Sequence, residues 1–350
     1  MNDATQRLPI IDAARGVALV GMIFYHFCWD LTFFRLTTFD LLNDFWWLTA
    51  RTTVVCSFLF LVGVNLVFAG DAAFQASDRA LSAYWTSPAF VRRLAIVAAC
   101  AGAITVVSRV LFPDQYIFFG VLHHIVLASA LGGFIFRAPW FVLLGGALFC
   151  WAAPKFLAGP MFNSEWLVWL GLMSRAPSSN DFVPLAPWWG MVLLGMGLAR
   201  WFGGQEGMRR SILGEWAPES QAARYFCRFG RMSLCVYMIH QPLLIAVLAA
   251  SVWVSGGELP FGGEAVNGAL PGMEASISGL PERANGFLSS CQVSCEKNGG
   301  TMKICATYCR CVVVGLSEQK LWFAFLGDRL DKAGKERFVE TLHACSPKIN

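Results

Sequence analysis

Arg15, His26 and Asp30 stand in one apolar run, IDAARGVALVGMIFYHFCWDL, which covers residues 11–31 and also holds Asp12. An ionisable side chain in hydrocarbon costs roughly 2.5–3.5 kcal/mol on insertion scales, so several in one stretch mark a site for chemistry or transport. Arg15 and His26 are eleven positions apart, about 16 Å along a helix axis. The arginine therefore sits near one face of a bilayer and the histidine in the opposite half. Asp30 follows His26 by four residues and shares its helix face. A neutral imidazole can take a proton from an acceptor or carry a group to it. A carboxylate on the same face would hold its tautomer and raise its basicity.

Depth along the apolar runs sorts the other histidines. His26 lies roughly 8 Å from the outer end of its run and His124 roughly 12 Å from the outer end of another, so these two are expected to meet. His240 is about eight residues from the inner end of the last run and is expected in a different layer unless that helix is broken. Pro242, two residues on, frees a backbone carbonyl that His240 could bond. His26, Asp30 and His124 are thus the candidate catalytic residues.

The elements that position them are membrane helices. Hydrophobic residues make up 56% of the chain and charged residues 14%, with a mean hydropathy of +0.53. Soluble domains carry about 25% charged residues, so the chain is a polytopic membrane protein of the all-α class. A net charge of +4 without a basic stripe interleaved with aromatics argues against nucleic acid as a partner. Apolar runs long enough to span are predicted at about 11–32, 48–69, 91–111, 116–136, 139–158, 183–202 and 232–254. The first has no small-residue cleavage site after it and is expected to stay attached. Most arginines, among them Arg92, Arg93, Arg200, Arg224, Arg228 and Arg231, fall on one side of this arrangement. The positive-inside rule then puts the N-terminus in the cytoplasm and everything after residue 254 outside. Segment 159–182 becomes an exterior loop in which SEWLVWLGLM is predicted to form a short interfacial helix. Arg51 at the start of the second run, Asp181 before Pro184 and Pro187, and Trp188 are candidates for binding a polar molecule at that side. Asp181 could equally cap the helix that follows, and Trp188 could be an interface aromatic.

The tail changes character. Residues 255–286 are dense in Gly and Pro and read as a linker between a membrane domain, 1–254, and a tail, 287–350. The tail holds Cys291, Cys295, Cys305, Cys309, Cys311 and Cys345. An i,i+4 spacing puts each of the first two pairs on one helix face, and two such helices folded into a hairpin would allow Cys291–Cys309 and Cys295–Cys305 bridges. Zinc is the competing reading; its pairs more often use two-residue gaps and reducing compartments, so disulfides are expected and no metal.

Five motifs in order, IDAARGVALVGMIFYH, FLFLVG, FGVLHHI, DFVPLAPWWGMVLLGMGLAR and MSLCVYMIHQPLL, resemble the bacterial branch of the heparan-alpha-glucosaminide N-acetyltransferase catalytic-domain family over residues 7–254. The chain is also similar to the wider transmembrane acyltransferase group that includes acyltransferase type 3, whose first span carries Arg and His at the spacing of Arg15 and His26. The resemblance implies transfer of an acyl group, acetyl above all, from cytoplasmic acyl-CoA to a sugar or glycan on the far side of a bacterial inner membrane. His26 would be base or acyl carrier. The loop after the first span lacks the histidine that the animal lysosomal members carry there. Arginine suits CoA phosphates, so Arg15, Arg92, Arg93 and His240 are the candidate donor-binding residues. Arg51, His123, Asp181 and Trp188 are the candidates for the acceptor. Membrane lipid is a further partner, and an oligomer is compatible with the sequence. The alternative function is a glycan or lipid transporter or flippase, since charged residues at depth and proline-broken helices also describe transporters.

Overall fold

The computed structural model describes residues 8–34, 36–41, 44–76, 87–112, 115–256, 284–297, 302–326 and 330–346. The chain divides into two compact units, Met1–Pro260 and Phe261–Asn350. The described residues are nearly all helical and contain no strand. Most of the expected linker lies outside them.

Each of the seven apolar runs is a helix: α1 (Pro9–Phe33), α2 (Phe45–Ala76), α3 (Pro88–Leu111), α4 (Val121–Ile135), α5 (Trp140–Phe156), α6 (Leu185–Trp201) and, after three short helices, α10 (Ser233–Val254). Four of them, α1, α2, α3 and α10, are long and apolar enough to cross a membrane, and α4 and α5 are shorter apolar helices. This is an integral membrane protein. The intervening short helices are α7 (Gly204–Arg209), α8 (Ile212–Glu215) and α9 (Gln221–Arg231). Prolines pre-set the first turns of α1 and α3, where the missing N–H has no helical partner to lose.

Glycine sets two close crossings. A side chain at Gly63 of α2 would collide with the Val192 carbonyl of α6, and one at Gly195 of α6 with the Phe60 carbonyl of α2. The same reciprocity joins α1 to α9, Gly16 against Phe226 and Gly230 against Asp12. Without hydrophobic drive between helices in lipid, such backbone approach supplies the packing. Around the α2–α6 crossing sits the main core, with Leu59, Val67, Phe136, Leu143, Val192 and Met196 buried. Arg200 of α6 ties off one end, pairing with Asp71 of α2 at 2.8 Å and donating through Nε to the Phe136 carbonyl at 2.8 Å.

The predicted interfacial helix in SEWLVWLGLM does not form. Only Val168–Leu170 makes a 3-10 turn, closed by Gly171 at φ +84°, where the backbone packs on the Ala186 carbonyl and leaves no room for a side chain. A left-handed residue at that point ends the helix.

In the second unit α11 (Ala284–Lys297) and α12 (Met302–Glu318) pair as a hairpin, followed by α13 (Trp322–Leu326) and α14 (Lys332–Cys345). Bridges Cys291–Cys309 and Cys295–Cys305 join α11 to α12, as the spacing predicts, and Cys311–Cys345 joins α12 to α14. Val312, Val313, Leu316 and Trp322 form the small core beneath them.

Candidate active site

α1 and α10 run side by side in the same direction. His26 faces His240, Asp30 meets Gln241, and Phe34 packs on Leu248 and Val252. The His26 and His240 rings are 5.1 Å apart between centroids. His240, not His124, is therefore the histidine against His26, which corrects the layer assignment made from depth. The reason lies in α9. Gly230 sits against Asp12 and Gly16, so the chain enters α10 beside the second turn of α1 rather than level with its start. His26 and His240 each follow that crossing by ten residues, about 15 Å of helix rise.

His240 is buried and His26 half-buried, and polar groups surround them. Asp30 is 0% exposed and its Oδ1 accepts from Gln241 Nε2 at 2.6 Å. That bond runs to Gln241, where the sequence suggested His26. His240 donates from Nδ1 to the Tyr237 carbonyl at 2.7 Å, with Val236 O at 3.2 Å. These are neighbours of the Met238 carbonyl that Pro242 leaves without its helical partner. With Nδ1 protonated, Nε2 of His240 keeps its lone pair. Asp30 Oδ2, Gln241 Oε1 and His240 Nε2 are buried and have no hydrogen-bond partner among the described residues.

His124 is also fully buried. Its Nδ1 bonds the Val183 carbonyl at 3.2 Å and its Nε2 has no partner among the described residues. His123 has both ring nitrogens engaged, Nδ1 accepting from the Gly120 N–H at 3.3 Å and Nε2 on Thr105 Oγ1 at 3.1 Å. Asp181 caps a helix, but not the one that follows it: its Oδ2 accepts from the Val121 N–H at 2.9 Å, at the start of α4, sixty residues earlier. Burial pushes the Asp181 carboxyl above its ordinary range, and the Val121 bond and the Arg51 charge partly oppose that. Arg51 is also within reach of the Tyr25 hydroxyl. Trp188 packs against the main core.

At the Pro9 end of α1, Asp12 is 3% exposed and lies between Arg15 at 3.5 Å and Arg231 at 3.1 Å. Arg92 and Arg93 are exposed near the Pro88 end of α3. No group of three or more His, Cys, Asp or Glu side chains among the described residues is placed to hold a metal. Gln241, Tyr237 and Arg231 are the site residues that sequence reasoning passed over. Gln241 and Tyr237 flank His240 in the chain, and Arg231 closes a basic amphipathic helix directly before α10.

Among known proteins, the model of the family described as "Heparan-alpha-glucosaminide N-acetyltransferase, catalytic" matches residues 7–242, more than half of the chain. No curated protein and no solved structure matches it.

Proposed function

Since the chain belongs to the heparan-alpha-glucosaminide N-acetyltransferase catalytic family, we propose that it moves an acetyl group from acyl-CoA to a sugar or glycan, with His26 as the base. The observation that carries this is the His26–His240 pair beside the buried Asp30, which Gln241 holds. Leaving a buried polar group unmade costs about 1–3 kcal/mol, and here Asp30 Oδ2, Gln241 Oε1 and His240 Nε2 lack partners together. All three are hydrogen-bond acceptors in this tautomer. A group rich in donors, such as a sugar hydroxyl or amine, answers that demand.

The step follows from the groups present. His26 takes the proton from the acceptor's O–H or N–H while the heteroatom bonds to the thioester carbonyl carbon. The C–S bond then breaks, and the imidazolium returns the proton to the leaving thiolate. His240, its Nδ1 pinned to the backbone, holds a lone pair beside His26 and is placed to share that proton. At the other end of α1, Arg15 and Arg231 offer guanidinium groups for CoA phosphates. This reading puts the Pro9 end of α1 at the cytoplasm and the Phe33 end, with Arg51, Asp181 and Trp188, at the acceptor side of a bacterial inner membrane. The three tail disulfides suit an exterior compartment.

Purified full-length protein incubated with labelled acetyl-CoA and a panel of hexoses and hexosamines tests it. Acceptor-dependent release of CoA thiol, abolished by His26→Ala, is expected. Movement of glycan into vesicles without any thiol release would favour a transporter.

A further inference from the structure

α9 divides into three faces. Ala223, Phe226, Cys227 and Gly230 lie on α1, with Gly230 against the Asp12 backbone and Cys227 Sγ on the Pro9 carbonyl at 3.4 Å. Arg224, Arg228 and Arg231, spaced by four and three residues, share a second face. Tyr225 and Phe229 follow the first two arginines by one residue each, so they form a third face beside the second, and they are 62% and 43% exposed. Ser220 caps the helix through the Ala223 N–H at 3.1 Å, and only Met232 separates its end from α10. The helix is thus fixed at the end of two spans, with aromatics and arginines side by side and uncovered.

Its charge is in excess. Asp12 is shared between Arg15 and Arg231. Arg224 donates to the Glu219 backbone carbonyl, and neither Arg224 nor Arg228 has a carboxylate partner among the described residues. Glu206 of α7 is paired with Arg210.

We propose that α9 lies in the headgroup layer as an interfacial arm, where Arg224 and Arg228 bind the phosphates of anionic phospholipids and Tyr225 and Phe229 enter the acyl boundary. An anionic lipid surface is the occupant that fits both exposed faces at once. Arginines answer the phosphate bidentately, and aromatic rings beside them settle at the water–hydrocarbon boundary. A soluble phosphate would use the arginine face and leave the aromatic face idle.

The test uses the full chain in a zwitterionic detergent, with phosphatidylglycerol or phosphatidylcholine added from mixed micelles and bound lipid counted by native mass spectrometry. Wild type should hold phosphatidylglycerol about thirtyfold more tightly than phosphatidylcholine, the preference two arginines at an anionic surface supply. Arg224→Gln with Arg228→Gln should reduce that ratio to near one, with thermal unfolding unchanged. Tyr225→Ala with Phe229→Ala should weaken both lipids and keep the ratio. If the arginine variant does not fold, raising salt on wild type replaces it, and the ratio should fall as the Debye length shortens from about 10 Å at 0.1 M to about 3 Å at 1 M. Equal affinity of wild type for the two lipids overturns the proposal. So does a salt-independent preference, or displacement of bound phosphatidylglycerol by CoA or inorganic phosphate.

Discussion

His26 and His240 face each other at 5.1 Å between ring centroids, tilted by 58°, from two helices far apart in sequence. Two imidazoles this close cannot both carry a proton cheaply, because like charges at short range oppose each other. A proton taken up by one ring therefore discourages a second on the other.

His26→Ala should lower acetyl transfer by about 10²–10⁴-fold, the span of a positioned acid–base group. Detergent-solubilised yield should stay at the wild-type level. If the pair works as a unit, adding His240→Ala should cost little beyond the worse single variant. Thiol-release assays on the singles and the double measure this, and fully additive losses would separate the two roles.

Gln241→Ala removes the hydrogen bond that Gln241 Nε2 donates to Asp30, which is fully buried. Stability should fall by about 1–3 kcal/mol, the cost of an orphaned buried polar group. Replacing both residues, Asp30→Leu with Gln241→Leu, should restore most of that while leaving activity lost. Thermal unfolding in detergent together with turnover reads both effects.

Asp181 sets a pH dependence. Its folded carboxyl is raised above the ordinary 3.8 by burial, ahead of the opposing Val121 bond and Arg51 charge. A carboxylate raised on folding binds its proton more tightly folded than unfolded, so its burial penalty is absent below the unfolded value and complete above the folded one. Wild type should therefore lose stability relative to Asp181→Asn as pH rises from about 3.8. Asparagine keeps an acceptor for the Val121 N–H, whereas Asp181→Ala should lose about 0.5–2 kcal/mol from the uncapped helix. Unfolding midpoints across pH decide; parallel curves for wild type and Asp181→Asn would refute the shift.

Arg15→Lys keeps the charge 3.5 Å from Asp12 and loses the planar fork. If the fork receives CoA phosphates, donor affinity should drop about tenfold while the fold holds, since Arg231 still pairs with Asp12 at 3.1 Å. Calorimetric titration of CoA is the measurement. Equal dissociation constants would reduce Arg15 to an anchor.

All six tail cysteines are bridged. On whole cells, membrane-impermeant maleimide should label them only after reduction. Labelling without reductant, or only after lysis, would contradict the exterior assignment.

Seven helices and the tail hairpin were legible because they rest on local signals: apolar length, and cysteines at i,i+4. The ionisable cluster on α1 was legible because charge in an apolar run is rare. His240 against His26 is not, since depth measured from the ends of the apolar runs carries no offset between them, and the offset of α10 depends on where α9 crosses α1 at Gly16 and Gly230. Asp30 with Gln241 depends on the same register. Asp181 was recognised as a possible cap but assigned to the wrong helix, because the loop before α6 folds back along residues 115–121, with Asn180 N–H on Gln115 O and Val183 N–H on Phe119 O.

The parallel run of α1 beside α10 carries a parity. A chain that traverses a bilayer along α1 and again along α10 in the same sense must cross an odd number of times between them. The long helices α2 and α3 alone make two crossings, an even number. Parity then asks that one or all three of α4, α5 and α6 complete the traverse as well, and under the proposed topology the chain leaves Val254 on the side opposite Pro9. Reporters fused before α1 and after α10 will then always answer from different compartments, whichever way the protein is inserted.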